Sequence, residues 1–206
     1  MAGIDYSRVA KLYCAIERIV FARKLENVRL WCLNNLHLVE DSKVLIVGGG
    51  DGRFLRELIG RYGRIRVDYV EPSASMVAVA QSRVEADSRV SWHQSRIEDW
   101  GGGEYDLVVA HFVLDTFEPS VRPRVADLLI QKVKPGASVV VSDFCYEGGK
   151  RERVMMWLMQ CFFCVIAGQP MWEVSRDDTA FTKKGAEISC EQSWSKGWIY
   201  SQIWKI

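Results

Sequence analysis

The stretch at residues 44–54, VLIVGGGDGRF, decides the reading of this chain. An apolar run ends and four glycines follow within five positions, Gly48, Gly49, Gly50 and Gly52. A short continuous apolar run is the mark of a strand buried on both faces. Glycines in the turn after it allow left-handed backbone and let a ligand come close to the main chain. In an open parallel sheet, ligands lie beyond the carboxyl ends of the strands, so this turn is the expected site.

Working outward, the chain alternates. KVLIV leads to a helix over residues 53–62, then the strand RVDYV, the helix SASMVAVAQSRVEA and the strand RVSWH. An acidic turn, RIEDW, and the loop GGG precede the strand YDLVVA and the helix RPRVADLLIQKV, which KPG is expected to close. ASVVVSDF is the fifth strand, DDTAFTKK a short helix ending at Gly185, and AEISCEQSW and GWIYSQIWKI a final hairpin turned at SKG. Strands alternating with helices predict a doubly wound, mostly parallel α/β sheet with helices on both faces. Upstream, YSRVAKLYCAIERIVF and ENVRLWCLNNLHLV carry apolar residues at helical spacing. The chain therefore divides into an N-terminal helical cap, residues 1–42, and one compact unit, residues 43–206.

The 206 residues suit one domain with a full core. A net charge of +1 offers no field to gather nucleic acid or an anionic membrane. Six cysteines, without a basic, apolar leader pattern at the start, read as reduced core thiols in a cytoplasmic protein. Cys161 and Cys164 have C-x-x-C spacing, but no second Cys or His pair stands nearby to complete a metal site, and none is expected. The apolar run at 154–168 falls short of the roughly 18–20 residues of a membrane span and reads as a buried helix or lid.

A dinucleotide fingerprint places glycines as G-x-G-x-x-G, yet Arg53 stands where the third belongs; the spacing here is G-x-G-x-G, Gly48, Gly50 and Gly52. Glu71 closes the second strand, where a carboxylate accepts from both ribose hydroxyls of an adenosine. Together with VEPSASMVAVAQSR, SRIEDW, YDLVVAHFVLDTF and VKPGASVVVSDF, in that order, the chain resembles a class I S-adenosylmethionine-dependent methyltransferase of the small-molecule type. The resemblance runs from about residue 43 to 206 and implies a Rossmann-like seven-stranded sheet whose last strand is antiparallel. It implies S-adenosyl-L-methionine as cofactor, Gly48, Gly50 and Gly52 near its methionine part, Glu71 on the ribose, Ile97 and Glu98 flanking adenine, and Ala110 and His111 lining the methionine side. Most members have an acid where this chain has Ile46, and Asp51 is the candidate to stand in for it. The N-terminal segment resembles the family's cap helix, with Cys14 where Asp is usual.

Methyl transfer from a sulfonium needs alignment, exclusion of water and, for some acceptors, removal of a proton. His111, Asp115 and Asp143 lie at strand exits as candidate bases; His111 serves equally as a wall of the cofactor site, and Asp115 as a helix cap. Tyr6 and Tyr13 either close over the methyl group or pack in the core. Trp157, with Phe162, Phe163, Met171 and Trp172, either builds an apolar acceptor pocket or packs on the sheet. AHFV after the fourth strand lacks the N-P-P-Y type motif that grips a flipped base, so a nucleic-acid acceptor is not expected. The expected partner is a small apolar or aromatic acceptor. A nicotinamide oxidoreductase, a non-catalytic adenosyl-binding protein and an aminopropyl transferase are the competing readings.

Overall fold

The computed structural model describes residues 22–85, 87–145 and 174–206, with positions 149, 150, 153, 154, 156, 157, 160, 161 and 164 between them. Tyr6, Tyr13, Cys14, Phe162, Phe163, Met171 and Trp172 lie outside the described residues.

Seven strands form one sheet: β1 (Ser42–Val47), β2 (Ile65–Val70), β3 (Val90–His93), β4 (Tyr105–His111), β5 (Val133–Phe144), β6 (Glu187–Trp194) and β7 (Ile199–Lys205). Their order is β3-β2-β1-β4-β5-β7-β6. The first five pair in parallel, and β7 runs antiparallel to both β5 and β6. The strand order reverses between β1 and β4, which puts the crevice of a doubly wound sheet beyond their carboxyl ends.

Helices α1 (Ala22–Asn35), α2 (Arg53–Arg61) and α3 (Ala74–Val84) cover one face; α4 (Arg122–Gln131) and α5 (Thr179–Lys183) cover the other. Period-two alternation sorts the strands between these layers. Val44, Ile46, Val67, Tyr69, Leu107 and Val109 meet Cys32, Leu33, Phe54, Leu55 and Leu58, whereas Leu45, Val47, Val108 and Val139 meet Val125, Leu129 and Phe181. Burial of each such aliphatic side chain contributes roughly 1.5–3 kcal/mol. Because both faces are covered, the central strands read as unbroken apolar runs.

KPG does not end α4 as the sequence suggests; that helix stops at Gln131, and residues 134–136 lie within β5. Pro135 has no N–H to give the ladder, and Gly136 takes a φ of 78°, so the pairing jumps from Tyr105↔Val133 to Leu107↔Ser138. The SKG hairpin is formed by Ser195, Lys196 and Gly197, all at positive φ.

Arg89 ties β3 to the end of α2: Nη1 donates to the carbonyls of Ile59, Tyr62 and Gly63, and Asp87 orients the guanidinium. Orphan carbonyls at a helix end are satisfied here by a half-buried cation. Arg64, by contrast, pairs with Glu40 and Asp41 in the open. Arg89→Ala is expected to lower the unfolding free energy by about 2 kcal/mol with an unchanged urea m-value, and Arg64→Ala to change it by less than about 1 kcal/mol.

Candidate functional site

The glycine turn is held from below. Tyr69, on β2, lies under Gly49 so closely that a β-carbon there would fall inside its ring, and its hydroxyl donates to the Gly50 carbonyl at 2.8 Å. Gly48 is bounded by Val113, whose Cγ2 would stand 2.7 Å from an added β-carbon, and Gly52 by Ala80 of α3 at the same distance. Gly50, at φ 62°, has nothing within 4 Å in that direction. Three of the four glycines are thus bare because the protein fills the space, and Gly50 is bare towards an open one. Gly52, expected beside a ligand, has its missing side chain turned onto α3, where it lets two helices approach.

Glu71 is almost fully buried, and its two oxygens each accept one amide, from Gly50 and from Ser73, both at 3.0 Å. Burial pushes its pKa up, and the two amide bonds oppose that shift. A carboxylate has about four acceptor positions, so both oxygens keep capacity for a further donor.

Asp51, the candidate to stand in for the acid missing at Ile46, is already paired with two arginines. Its carboxylate is bound by Arg83 at 2.8 Å and by Arg53 at 3.0 Å, and Arg83 Nε also donates to its carbonyl. Two guanidiniums already meet that charge, which leaves it poorly suited to a ligand ammonium. Ile46 itself is buried in the core beneath α1 and α2. Ala110 and Ile97 are likewise core side chains on the α4 face, and Glu98 pairs with Arg96.

The three candidate bases divide between the two faces of the sheet. His111 faces the α1–α2 layer, its ring edge-on to Phe54 at 4.6 Å and its Nδ1 2.9 Å from Ser142 Oγ. Burial, and then the charge of Arg29, push its pKa down to about 3, which makes it a weak base. Asp115 and Asp143 come together on the other face. The amide of Asp115 donates to Asp143 Oδ2 at 3.0 Å, the amide of Phe144 donates to Oδ1, and the two side chains bond each other. Burial raises Asp115 to about 6; burial and the neighbouring Asp115 charge hold Asp143 well above its usual value. Two carboxyls in one dry site cannot both ionise easily, so ionisation of one holds the proton on the other to higher pH. Arg122, Asp177 and Tyr200 line the same small pocket.

Beyond the ends of β4 and β5 stands an aromatic cluster that the sequence did not single out. Phe112 lies 5.0 Å from Phe144, and Phe144 5.4 Å from Trp198. Phe112 takes a φ of 58°, unusual for a bulky residue, directly after the β4 exit. Met156 is buried in this cluster, whereas Trp157, the expected pocket residue, is 53% exposed. Helical geometry turns adjacent residues to different sides, and the apolar run alone did not show which faced inward. No described residues form a group of three or more His, Cys, Asp or Glu suited to a metal, and no described helix is long and apolar enough to cross a membrane.

The family model for a methyltransferase domain matches residues 44–136, from β1 into the start of β5. A complex of the Haloferax volcanii Trm112 methyltransferase activator with its partner protein includes a chain that superposes with a TM-score of 0.75 at 14% identity, covering 98% of this chain and 95% of that one. Magnesium protoporphyrin IX methyltransferase from Synechocystis, solved with bound S-adenosylhomocysteine, superposes with a TM-score of 0.70 at 16% identity, covering 97% and 94%. At these identities the likeness is one of fold. A curated polyamine aminopropyltransferase from Prochlorococcus marinus is 35% identical over 60 residues, which span 29% of this chain and 21% of that protein. The order of strands, the glycine turn with its strand-end carboxylate and the matched family model agree: residues 44–136 are similar to a methyltransferase domain, set in a Rossmann-like sheet.

Proposed function

We propose that this protein transfers a methyl group from S-adenosylmethionine to a small-molecule acceptor with an apolar or aromatic face. The observation that carries this reading is the open flank of Gly50 beside the buried carboxylate of Glu71. Such a pair fits an adenosyl ligand: the bare backbone permits close approach, and the spare acceptor positions of Glu71 suit the vicinal ribose hydroxyls. The cofactor, when bound, supplies a methyl group already activated by the positive charge on its sulfur.

The chain's own residues then orient the acceptor, exclude water and take up a proton. Phe112, half-buried at the β4 exit and backed by the buried rings of Phe144 and Trp198, supports an aromatic or apolar acceptor. Asp115, paired with Asp143, supplies a base whose pKa burial raises above the usual carboxylate range, towards where a base must be poised at neutral pH. His111, with its pKa near 3, is the weaker candidate for that step.

Calorimetric titration tests the reading. S-adenosylmethionine and S-adenosylhomocysteine are expected to bind and NAD is not; binding of NAD alone, or of none of the three, would refute it. Gly50→Ala is expected to fold, at a cost of roughly 1–2 kcal/mol for the left-handed backbone, and to weaken S-adenosylhomocysteine at least tenfold. Gly49→Ala, which collides with Tyr69, is expected to lose most of its stability instead.

The carboxyl pair makes a separate prediction. Its folded-state pKa values lie above the ordinary 3.8, so its contribution is fully present below pH 4 and is lost as pH rises through about 6 and beyond. Asp143→Asn loses one acceptor for the amides of Asp115 and Phe144 at every pH, so the expected effect is a trend: its melting temperature relative to the parent should rise from pH 4 to pH 8. A difference independent of pH would show that the pair does not titrate above the ordinary carboxylate range.

A further inference from the structure

Polar side chains are out of place inside an aliphatic sheet, yet a row of them crosses three strands. His111 on β4 stands opposite Ser142 on β5, and Ser142 opposite Ser201 on β7. Their side chains touch in that order: His111 Nδ1 is 2.9 Å from Ser142 Oγ, which is 2.7 Å from Ser201 Oγ. Cys32 of α1 closes the row, its Sγ 3.1 Å from Ser201 Oγ and 3.8 Å from Ser142 Oγ. Cys32, Ser142 and Ser201 are fully buried. At the far end, Nε2 of His111 is buried and meets no hydrogen-bond partner among the described residues.

We propose that this row fixes the tautomer of His111, presenting Nε2 as an N–H donor to an oxygen of a bound ligand. Each hydroxyl and the thiol has one proton to place. Sulfur is a weak acceptor, so a row running towards Cys32 would end poorly and strand the thiol proton. Running the other way, Cys32 donates to Ser201, Ser201 to Ser142, and Ser142 to Nδ1, and every proton has an acceptor. Burial keeps the thiol protonated, its pKa raised to about 11, so it can head the row. Nδ1 then carries no proton, and in a neutral imidazole Nε2 does. Arg29, whose charge acts on the ring, adds a positive field that suits an electron-rich oxygen. A buried N–H without an acceptor is costly, and a ligand oxygen removes that cost on binding. Ser142 is thus a positioning residue and His111 a specificity determinant, distinct from the base. The tautomer follows from the geometry alone; the ligand step rests on the methyl-transfer reading above.

The chain has three histidines, His37, His93 and His111, so ¹⁵N spectra of the imidazole-labelled full chain are simple, and His111→Gln identifies the relevant signals. The expected result is a protonated Nε2 and a bare Nδ1, unchanged from pH 5 to pH 8. A proton on Nδ1, or titration near pH 6.5, would overturn the proposal. Cys32→Ala, which removes the donor at the head of the row, should admit the Nδ1–H form, and so should Cys32→Ser, whose hydroxyl accepts as well as it donates. An unaltered pattern in a folded Cys32→Ala variant would exclude the relay. S-adenosylhomocysteine and methylthioadenosine, which lacks the carboxylate, then distinguish the source of the oxygen. Movement of the Nε2–H signal with the first alone assigns the oxygen to the cofactor carboxylate; no movement with either, while both bind by calorimetry, would overturn the ligand step. Loss of the Nε2 proton on binding would overturn the donor role. Failure of both to bind would contradict methyl transfer and leave the tautomer result standing.

Discussion

Tyr69 and Glu71, neighbours on one strand end, hold the Gly48–Gly50 turn from two sides. The tyrosine ring fills the space beneath Gly49 and its hydroxyl takes the Gly50 carbonyl; the carboxylate takes the Gly50 amide. A residue whose amide and carbonyl are both held has little freedom left, so the turn is set before any ligand arrives. Much of the surrounding architecture follows from keeping that arrangement dry and rigid. Val113 seals Gly48 from the β4 side, Ala80 lets α3 pack against Gly52, and Arg83 and Arg53 neutralise the Asp51 charge inside the same turn. Preorganisation of this kind reduces the ordering cost of binding.

The sheet separates two kinds of polar chemistry. On the α1–α2 face, His111 is neutral and joined to a row of hydroxyls and a thiol. On the α4 face, Asp115 and Asp143 share a dry pocket with Arg122 and Tyr200. Strand periodicity produces this split: Ser142 and Asp143 are consecutive on β5, so their side chains point to opposite faces. One strand end therefore carries two polar systems that the sheet keeps apart.

The fold was legible because both signals that define it are local. Unbroken apolar runs alternating with amphipathic segments predict covered parallel strands, and the glycine turn with Glu71 marks the switch point. KPG misled because proline and glycine stop a helix and break a ladder equally well. The geometry of the candidate site was legible only where it depends on backbone, in the bare turn at Gly50 and the strand-end placing of Glu71. Tyr69 looked like one more strand residue, since nothing in VDYVEP shows that a glycine turn folds back over its ring. Asp51 looked available because its partner Arg83 lies a whole helix away in sequence. Ser142 and Ser201 gave no signal, since their meeting depends on β7 inserting beside β5. Trp157 and Met156 are adjacent in the same apolar run, and only packing decides that Met156 turns inward.

The most direct measurement is a crystal structure of the full chain grown with S-adenosylhomocysteine. The account predicts both ribose hydroxyls within hydrogen-bonding distance of the Glu71 oxygens, the ligand backbone against Gly50, and the Tyr69–Gly50 bond unchanged. A ligand seated elsewhere, or a turn that must unlock from Tyr69 to admit it, would contradict the claim that this turn is a preformed adenosyl site.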